Sequence, residues 1–361
     1  MTGERVRRAT LRRRRRRVRL LSAMAVLAVA GSVAGYVLLA GDGRPGPEEA
    51  PPSGAGADAQ VVTAFGYDGR RDEVAVLASA GGKDSLVMVV PANLDVSTPG
   101  HGTGPVGRAV PGGAETVGTT VANLLGIEVD HRGVLASDGL AGFVEAIGGL
   151  AVRLGAAANL GERNAGPGEV ELTGAEAAFY LDRSPGDPLE RSLRFEEVVA
   201  GLVRAAGDGA ALQDAAADAD GGFGAAVGSV GDDPRIEEVP VVDPTAAATA
   251  IDREAADRLV RELFVRPTGT AATVVVLNGN GVPGIGQAVA ERIVPEGFRI
   301  VVSTNARAFD VETTRIEVGT EGKRELGERI RSLLGVGEVF VGEEATGLAD
   351  ITIVVGRDFR P

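Results

Sequence analysis

From Leu20 to Gly41 the chain runs for 22 positions without a charged residue. As a helix rising about 1.5 Å per residue, such a run spans roughly 33 Å, enough for a hydrocarbon core of about 30 Å. The pattern predicts one transmembrane helix over 20–41. Residues 42–60, within GDGRPGPEEAPPSGAGADAQ, hold no large apolar group. With nothing to bury, they read as a flexible linker.

Beyond Val61 apolar residues return in short blocks. Glu73–Ala78 and Ser85–Val90, separated by a Gly-rich turn, predict a strand hairpin. Ala114–Leu125 places Val117, Val121, Leu124 and Leu125 at helical spacing and stops at Gly126. Val129–Leu135 reads as a returning strand. Asp138 reads as the N-cap of a helix through Ile147, followed by a strand at Leu150–Leu154, a short helix to Tyr180 and a longer one from about Leu189 past Val203. This mixture predicts an α/β domain over 61–204. A connector over 205–270 contains a strand near Arg235–Val242 and an amphipathic helix at Asp252–Phe264. From 271 to 361 strands and helices alternate again, from Thr273–Leu277 to a final strand at Ile351–Val355, and predict a second, smaller α/β domain.

Charge gives this layout a direction. The first 19 residues hold ten arginines against one acid, Glu4, a net +9 in a chain of net −13, so the remainder carries −22. A basic tail beside an apolar span obeys the positive-inside rule, which puts 1–19 in the cytoplasm and everything after Asp42 outside. A cleaved signal peptide is the competing reading, disfavoured by the long apolar segment and the lack of an A-x-A site. The arginine run abuts the span and has no interleaved aromatics, so nucleic acid is not the expected partner.

Composition removes several chemistries. The chain has no cysteine, which excludes disulfides, zinc-thiolate sites and thiol catalysis, and its two histidines, His101 and His131, lack metal-ligand spacing. Gly279, Gly281 and Gly284 form G-x-G-x-x-G between a strand and a helix. That is the context of a dinucleotide fold, but no acid follows the second strand to hold a ribose, and the glycines read instead as a tight turn. The polar residues with chemical interest are Asp182, Arg183, Asp187, Glu190, Arg191 and Arg194. Arg191 and Arg194, three apart on one helix, can face the same anion and suit a phosphate or pyrophosphate; a solvated face with acidic partners is the plain alternative.

The segments KDSLVMVV (Lys83–Val90), VGTTVANLLGIEVDH (Val117–His131), GLAGFVEAIGGLAVRL (Gly139–Leu154), ELTGAEAAFYLDRS (Glu171–Ser184) and ERSLRFEEVVAGLV (Glu190–Val203) resemble, in order, the LytR-CpsA-Psr family. The stretch from TVVVLNGNGVPGIGQAVAERI to ADITIVVGRDF resembles the LytR C-terminal domain. The resemblance implies transfer of a glycopolymer from a polyprenyl-pyrophosphate lipid to peptidoglycan, with the lipid in an apolar tunnel and the pyrophosphate held by arginines and an aspartate-bound Mg²⁺. On that basis Asp84 matches the metal-associated aspartate of an R-x-D-[ST] motif whose arginine position is Gly82. The family's P-R-D falls on Pro91, Ala92 and Asn93. Its Y-x-R falls on Tyr180 and Asp182 with Arg183 one place late, and Arg191 and Arg194 keep an R-x-x-R. The expected tunnel walls are the helices at Ala114–Leu125, Asp138–Ile147 and Phe195–Val203.

The site set is therefore Asp84, Arg183, Arg191 and Arg194, with Asp84 as the Mg²⁺ ligand and no other cofactor. With about half of the charged set missing, transition-state charge is left poorly matched. The expectation is a membrane-anchored envelope protein that binds or scaffolds, with an active glycopolymer transferase as the alternative.

Overall fold

The computed structural model describes residues 60–70, 72–79, 84–182, 188–207, 227, 230, 234–342 and 349–361. The expected tail, span and residues 42–59 of the expected linker lie outside these residues, as do Lys83, Arg183 and Asp187, whereas Gln60, the linker's last residue, is buried and belongs to the fold. Among the described residues no helix is long and apolar enough to cross a membrane.

The first sheet is built on β1 (Val62–Asp68), β2 (Glu73–Ala78) and β3 (Leu86–Val90), consecutive and antiparallel, with Phe65 opposite Ala75 and Val74 opposite Val90. The expected hairpin is thus present. A small hairpin of β4 (Asp95–Thr98) and β5 (Gly102–Pro105) leads through a 3₁₀ turn into α1 (Gly113–Leu125). Gly126 ends α1 in the left-handed region at φ 66°, its N–H returning to the Ala122 carbonyl, a conformation that favours glycine. β6 (His131–Ala136) then joins the sheet parallel to β1.

Next come α2 (Ser137–Ala146), β7 (Leu150–Leu154), the two-residue pair β8 (Ala158–Asn159) and β9 (Asn164–Ala165), β10 (Gly168–Leu172), α3 (Gly174–Asp182) and α4 (Pro188–Gly207). β11 (Arg235–Glu238) runs parallel to β3 at the other edge, giving the order β11-β3-β2-β1-β6. Asp138 is not the cap of α2: Ala136 occupies that position and, among the described residues, the Asp138 carboxylate accepts from the next amide, Gly139. Asp252 does cap α5 (Arg253–Leu263), accepting from the Ala255 N–H.

The three central strands are buried on both faces, which is why they read as apolar runs rather than as clean alternation. Phe65, Tyr67, Ala75, Leu77, Val87 and Val89 point into one cluster with α2, α3 and α4. Ala64, Val74, Val76, Met88 and Val90 point into another with α1 and α5.

A second sheet follows from β12 (Ala272–Asn278), α6 (Ile285–Ile293), β13 (Phe298–Asn305), β14 (Arg315–Val318), α7 (Arg324–Leu334), β15 (Glu338–Val341) and β16 (Ile351–Val355), in the order β13-β12-β16-β14-β15. Its core is its own, apart from Ala122 of α1 and the partly buried Val129 packed against it. Both sheets belong to one compact unit, Gly56–Pro361. They are tied where β13, an edge strand, meets α1: the buried Asn123 side chain donates to the Ile300 carbonyl at 2.9 Å and accepts the Ile300 N–H at 2.7 Å. The register between β12 and β13 skips one residue immediately after Ile300. One asparagine amide therefore supplies the pairing that a further strand would give.

Candidate anion-binding corner

The end of β1, the start of β2 and the N-terminal half of α4 meet at a charged corner. Ser192 brings α4 onto the end of β3, its hydroxyl accepting the Ala92 N–H at 3.3 Å. Beside it, Arg191 turns inward to Glu73, the first residue of β2. Its Nε and Nη2 both donate to Glu73 Oε1, at 3.1 and 2.9 Å. The pair is largely out of water: the side chains are 17% and 5% exposed for Arg191 and Glu73, while Glu73 Oε2 is buried without a hydrogen-bond partner. Burial pushes the Glu73 carboxyl up to about 7, more than Arg191 and the nearby Arg194 pull it down. Arg194 is itself buried and donates to Glu190 at 3.1 Å.

The neighbouring turn is fixed by Asp182 at the end of α3. Its carboxylate accepts from the Tyr67 hydroxyl at 3.2 Å, the Arg70 N–H at 2.9 Å and the Ser137 hydroxyl at 2.7 Å. Gly69 permits this approach, since a Cβ there would lie 2.2 Å from Asp182 Oδ1. An open depression of about 530 Å³ lies over the turn, lined by Asp68, Arg70, Ser137, Asp138 and Asp182 among others. Burial and the charge of Asp68 raise the Asp72 carboxyl above its ordinary range.

Arg191 pairs with Glu73, whose carboxyl also feels the charge of Arg194, while Arg194 itself donates to Glu190, the acidic-partner alternative. Asp84 does not join them. It is exposed at the turn of the β2–β3 hairpin, beyond the Ala78–Leu86 end, whereas Glu73 is at the other end, roughly 17 Å away at about 3.3 Å per residue. Asp84 thus fails as the Mg²⁺ ligand of this corner, and among the described residues no group of three or more His, Cys, Asp or Glu gathers for a metal ion. Asn93, at the P-R-D position, is an internal tie, its amide donating to the carbonyls of Pro244 and Ala246. Tyr180 donates to Glu197 at 2.6 Å.

The residues missed in sequence are Arg70, Asp72 and Glu73. Arg70-Arg71-Asp72 satisfies R-x-D directly before β2, with Glu73 where the motif has Ser or Thr. The expected tunnel walls also need correction: α1 covers one face of the sheet while α2 and α4 cover the other, so the three cannot enclose one space. Between α2, α4 and the sheet, Phe65, Tyr67 and Phe195 pack together, the first two ring centroids lying 6.0 and 6.4 Å from that of Phe195.

The glycine loop after β12 is closed by its own side chains. Asn278 Oδ1 accepts the N–H groups of Asn280 and Gly281 at 3.2 and 2.9 Å, and Asn280 Oδ1 accepts that of Val282 at 2.9 Å. The Gly279 N–H donates to the Val355 carbonyl. Four amides of the loop, those of Gly279, Asn280, Gly281 and Val282, are thus already satisfied, in keeping with a tight turn.

Residues 271–359 match the LytR_C family model, described as LytR cell envelope-related transcriptional attenuator. No curated protein sequence matches the chain. Among solved structures, Bacillus subtilis TagV is similar at 16% identity and a TM-score of 0.48, covering 57% of this chain and 97% of its own. An Enterococcus faecalis protein described as a transcriptional regulator is similar at 18% identity and 0.48, covering 58% and 90%. A LytR-Csp2A-Psr enzyme from Actinomyces oris is similar at 16% identity and 0.44, covering 59% and 93%.

Proposed function

We propose that this chain is a membrane-anchored cell-envelope protein of the LytR-CpsA-Psr type, carrying a LytR C-terminal domain, that binds or scaffolds instead of transferring glycopolymer. The ligand class is a polyprenyl phosphate or pyrophosphate. The anchor is the uncharged run Leu20–Gly41 behind its arginine tail, which places the folded part outside the cytoplasm.

The observation that carries the non-catalytic reading is the inward pairing of Arg191 with Glu73. A pyrophosphate that takes Arg191 must leave Glu73 buried without its cation; breaking a buried pair costs about 3–5 kcal/mol where the acid stays ionised, and less where it takes up a proton. Where Glu73 stays ionised, such a loss weakens anion affinity by roughly two to three and a half orders of magnitude. It falls on ground state and transition state alike, so it lowers kcat/KM by weakening binding.

The transferase reading has one observation in its favour. Arg70 and Asp72 restore an R-x-D beside Arg191, and the carboxylates of Asp68 and Asp72 are close enough to influence each other. A Mg²⁺ held by two carboxylates and the substrate's phosphates would suit that pair.

Full-length protein in detergent, tested for retention of polyprenyl phosphate and for Mg²⁺-dependent release of pyrophosphate, separates the readings. The expected result is weak retention, lost in Arg191→Ala with Arg194→Ala, strengthened on the order of 100-fold in Glu73→Ser, and no turnover. Mg²⁺-dependent turnover that disappears in Asp72→Ala establishes the transferase instead. Absence of binding in both the natural protein and Glu73→Ser leaves a structural ion pair only.

A further inference from the structure

A cavity of about 300 Å³ lies between the two sheets' helices, far from the charged corner in the fold: α1 and the start of the β6 segment form one side, and α6 with Pro295 the other. Its size is at the lower end of small-molecule sites, about 300–1,000 Å³. The room is made by small residues on α1. Gly118 stands where a Cβ would meet the Arg132 side chain at 2.9 Å, and Ala122, one turn on, leaves the floor open.

Its lining has two parts. The apolar part includes Ala122, Ile127 and Val294, all buried. The polar part holds Glu115, Glu128 and Glu291 against one cation, Arg132. Arg132 already pairs with Glu115 at 3.0 Å, and Glu128 takes Arg266, from outside the cavity, at 2.8 Å. Glu291 is left with a neutral partner, the Gln287 amide at 2.9 Å, the same amide that donates to Thr119 of α1 at 3.1 Å. An anion entering here would meet an excess of carboxylates. A wholly apolar ligand would gain nothing from Glu291, which stands exposed at the rim. A cation on an apolar stem satisfies both parts of the wall.

We propose that this cavity binds a primary alkylammonium group, with Glu291 as the counter-charge and the Ala122–Val294 floor receiving the alkyl stem. Because α1 and α6 both line it, an occupant also clamps the two sheets together, across the seam that Asn123 already closes on β13. The same chemistry is offered by a free alkylamine and by a lysine-type side chain of a peptide polymer, and the two differ only in what lies beyond the stem.

The test uses the full chain in detergent with n-hexylamine, hexanoate and Nα-acetyl-lysine methylamide as calorimetric probes. Saturable binding of hexylamine, at least tenfold tighter than hexanoate, and a tenfold or greater loss in both Glu291→Gln and Ala122→Leu is the expected outcome. Binding of the lysine derivative as well assigns the site to polymer-borne amines; binding of hexylamine alone assigns it to free ones. Glu291 is exposed at the rim, so Glu291→Gln keeps the fold and remains a valid test if Ala122→Leu does not. Equal binding of hexanoate, unchanged hexylamine binding in Glu291→Gln, or no saturable binding of either amine overturns the assignment.

Discussion

The charged corner at Arg191 and the glycine loop at Gly279–Gly284 both hold donors suited to an oxyanion, and both direct them inward, but they close by different chemistry. In the loop, backbone N–H groups donate to the neutral amides of Asn278 and Asn280. Nothing there titrates, so it is closed at every pH. In the corner, a guanidinium donates to a buried acid whose ionised form is disfavoured by its surroundings. That closure depends on the state of Glu73. A phosphate-like pattern of residues is therefore not a phosphate site until the alternative partners of its donors have been counted.

The largest effect should come from removing the cation. Arg191→Ala leaves Glu73 buried opposite only Arg194, and urea unfolding at pH 8 should show a loss of up to about 3–5 kcal/mol, the upper part of it only if Glu73 stays ionised. At pH 5 Glu73 is protonated and the loss should shrink to the packing contribution of the arginine stem. Equal losses at both pH values would mean that packing alone, and not charge, holds the corner.

The second prediction concerns the slope of stability with pH. Glu73 titrates at about 7 in the folded chain against an ordinary 4.5. Between those values the unfolded chain has given up its proton while the folded chain keeps it, so stability falls as pH rises through this window. The decline attributable to this group is roughly 3 kcal/mol at most. Glu73→Gln should flatten that part of the profile, and anion binding at Arg191 in the natural chain should tighten as pH falls below about 7. A profile that is unchanged in Glu73→Gln would remove Glu73 as the titrating group.

How much of this was readable beforehand differs between scaffold and site. Val, Leu and Ala runs bounded by Gly-rich turns placed β2 and β3, Gly126 marked the end of α1, and Asp252 marked the start of α5, because turn and cap chemistry is local. Asp138 misled for the same reason: its carboxylate is bonded one residue away and caps nothing. The face covered by each helix was not readable. An amphipathic pattern tells which residues of α1, α2 and α4 turn inward but not which side of a doubly covered sheet receives them. The corner was harder still. Glu73 and Arg191 are 118 positions apart, and an acid at the head of an apolar strand looks like a solvated end. Asp72 and Asp84 each precede such a strand, and only the hairpin pairing decides that they sit at opposite ends of it.

A smaller effect is expected at the loop. Asn278→Ala removes the acceptor of two amides and a donor to the Val282 carbonyl at 3.0 Å. The groups lie near the surface where water replaces the partner, so the cost should be about 1 kcal/mol. The variant should gain no protection from excess inorganic phosphate in thermal unfolding, because the Gly279 N–H still donates to the Val355 carbonyl. Phosphate-dependent stabilisation of Asn278→Ala would show that the loop is an anion site held shut by one side chain.

The smallest effect should come from Asp350, which reverses the sign of Glu73. Its carboxylate accepts Lys323 Nζ at 2.5 Å, the Thr273 N–H at 2.8 Å and the Thr273 hydroxyl at 2.7 Å. These bonds hold it down to about 2, with Lys323 the largest cause. A depressed acid stabilises the fold above its ordinary value of 3.8 and loses that contribution as pH falls through about 2. Since the pair is about one-third exposed, the gain is screened and should be no more than about 1 kcal/mol. Acid unfolding of Asp350→Asn should therefore start from a slightly lower stability at neutral pH and lose less between pH 4 and 2 than the natural chain. If Asp350→Asn and the natural chain fall in parallel over that window, Asp350 is not a carboxylate that its partners stabilise, and the contrast with Glu73 rests on burial alone.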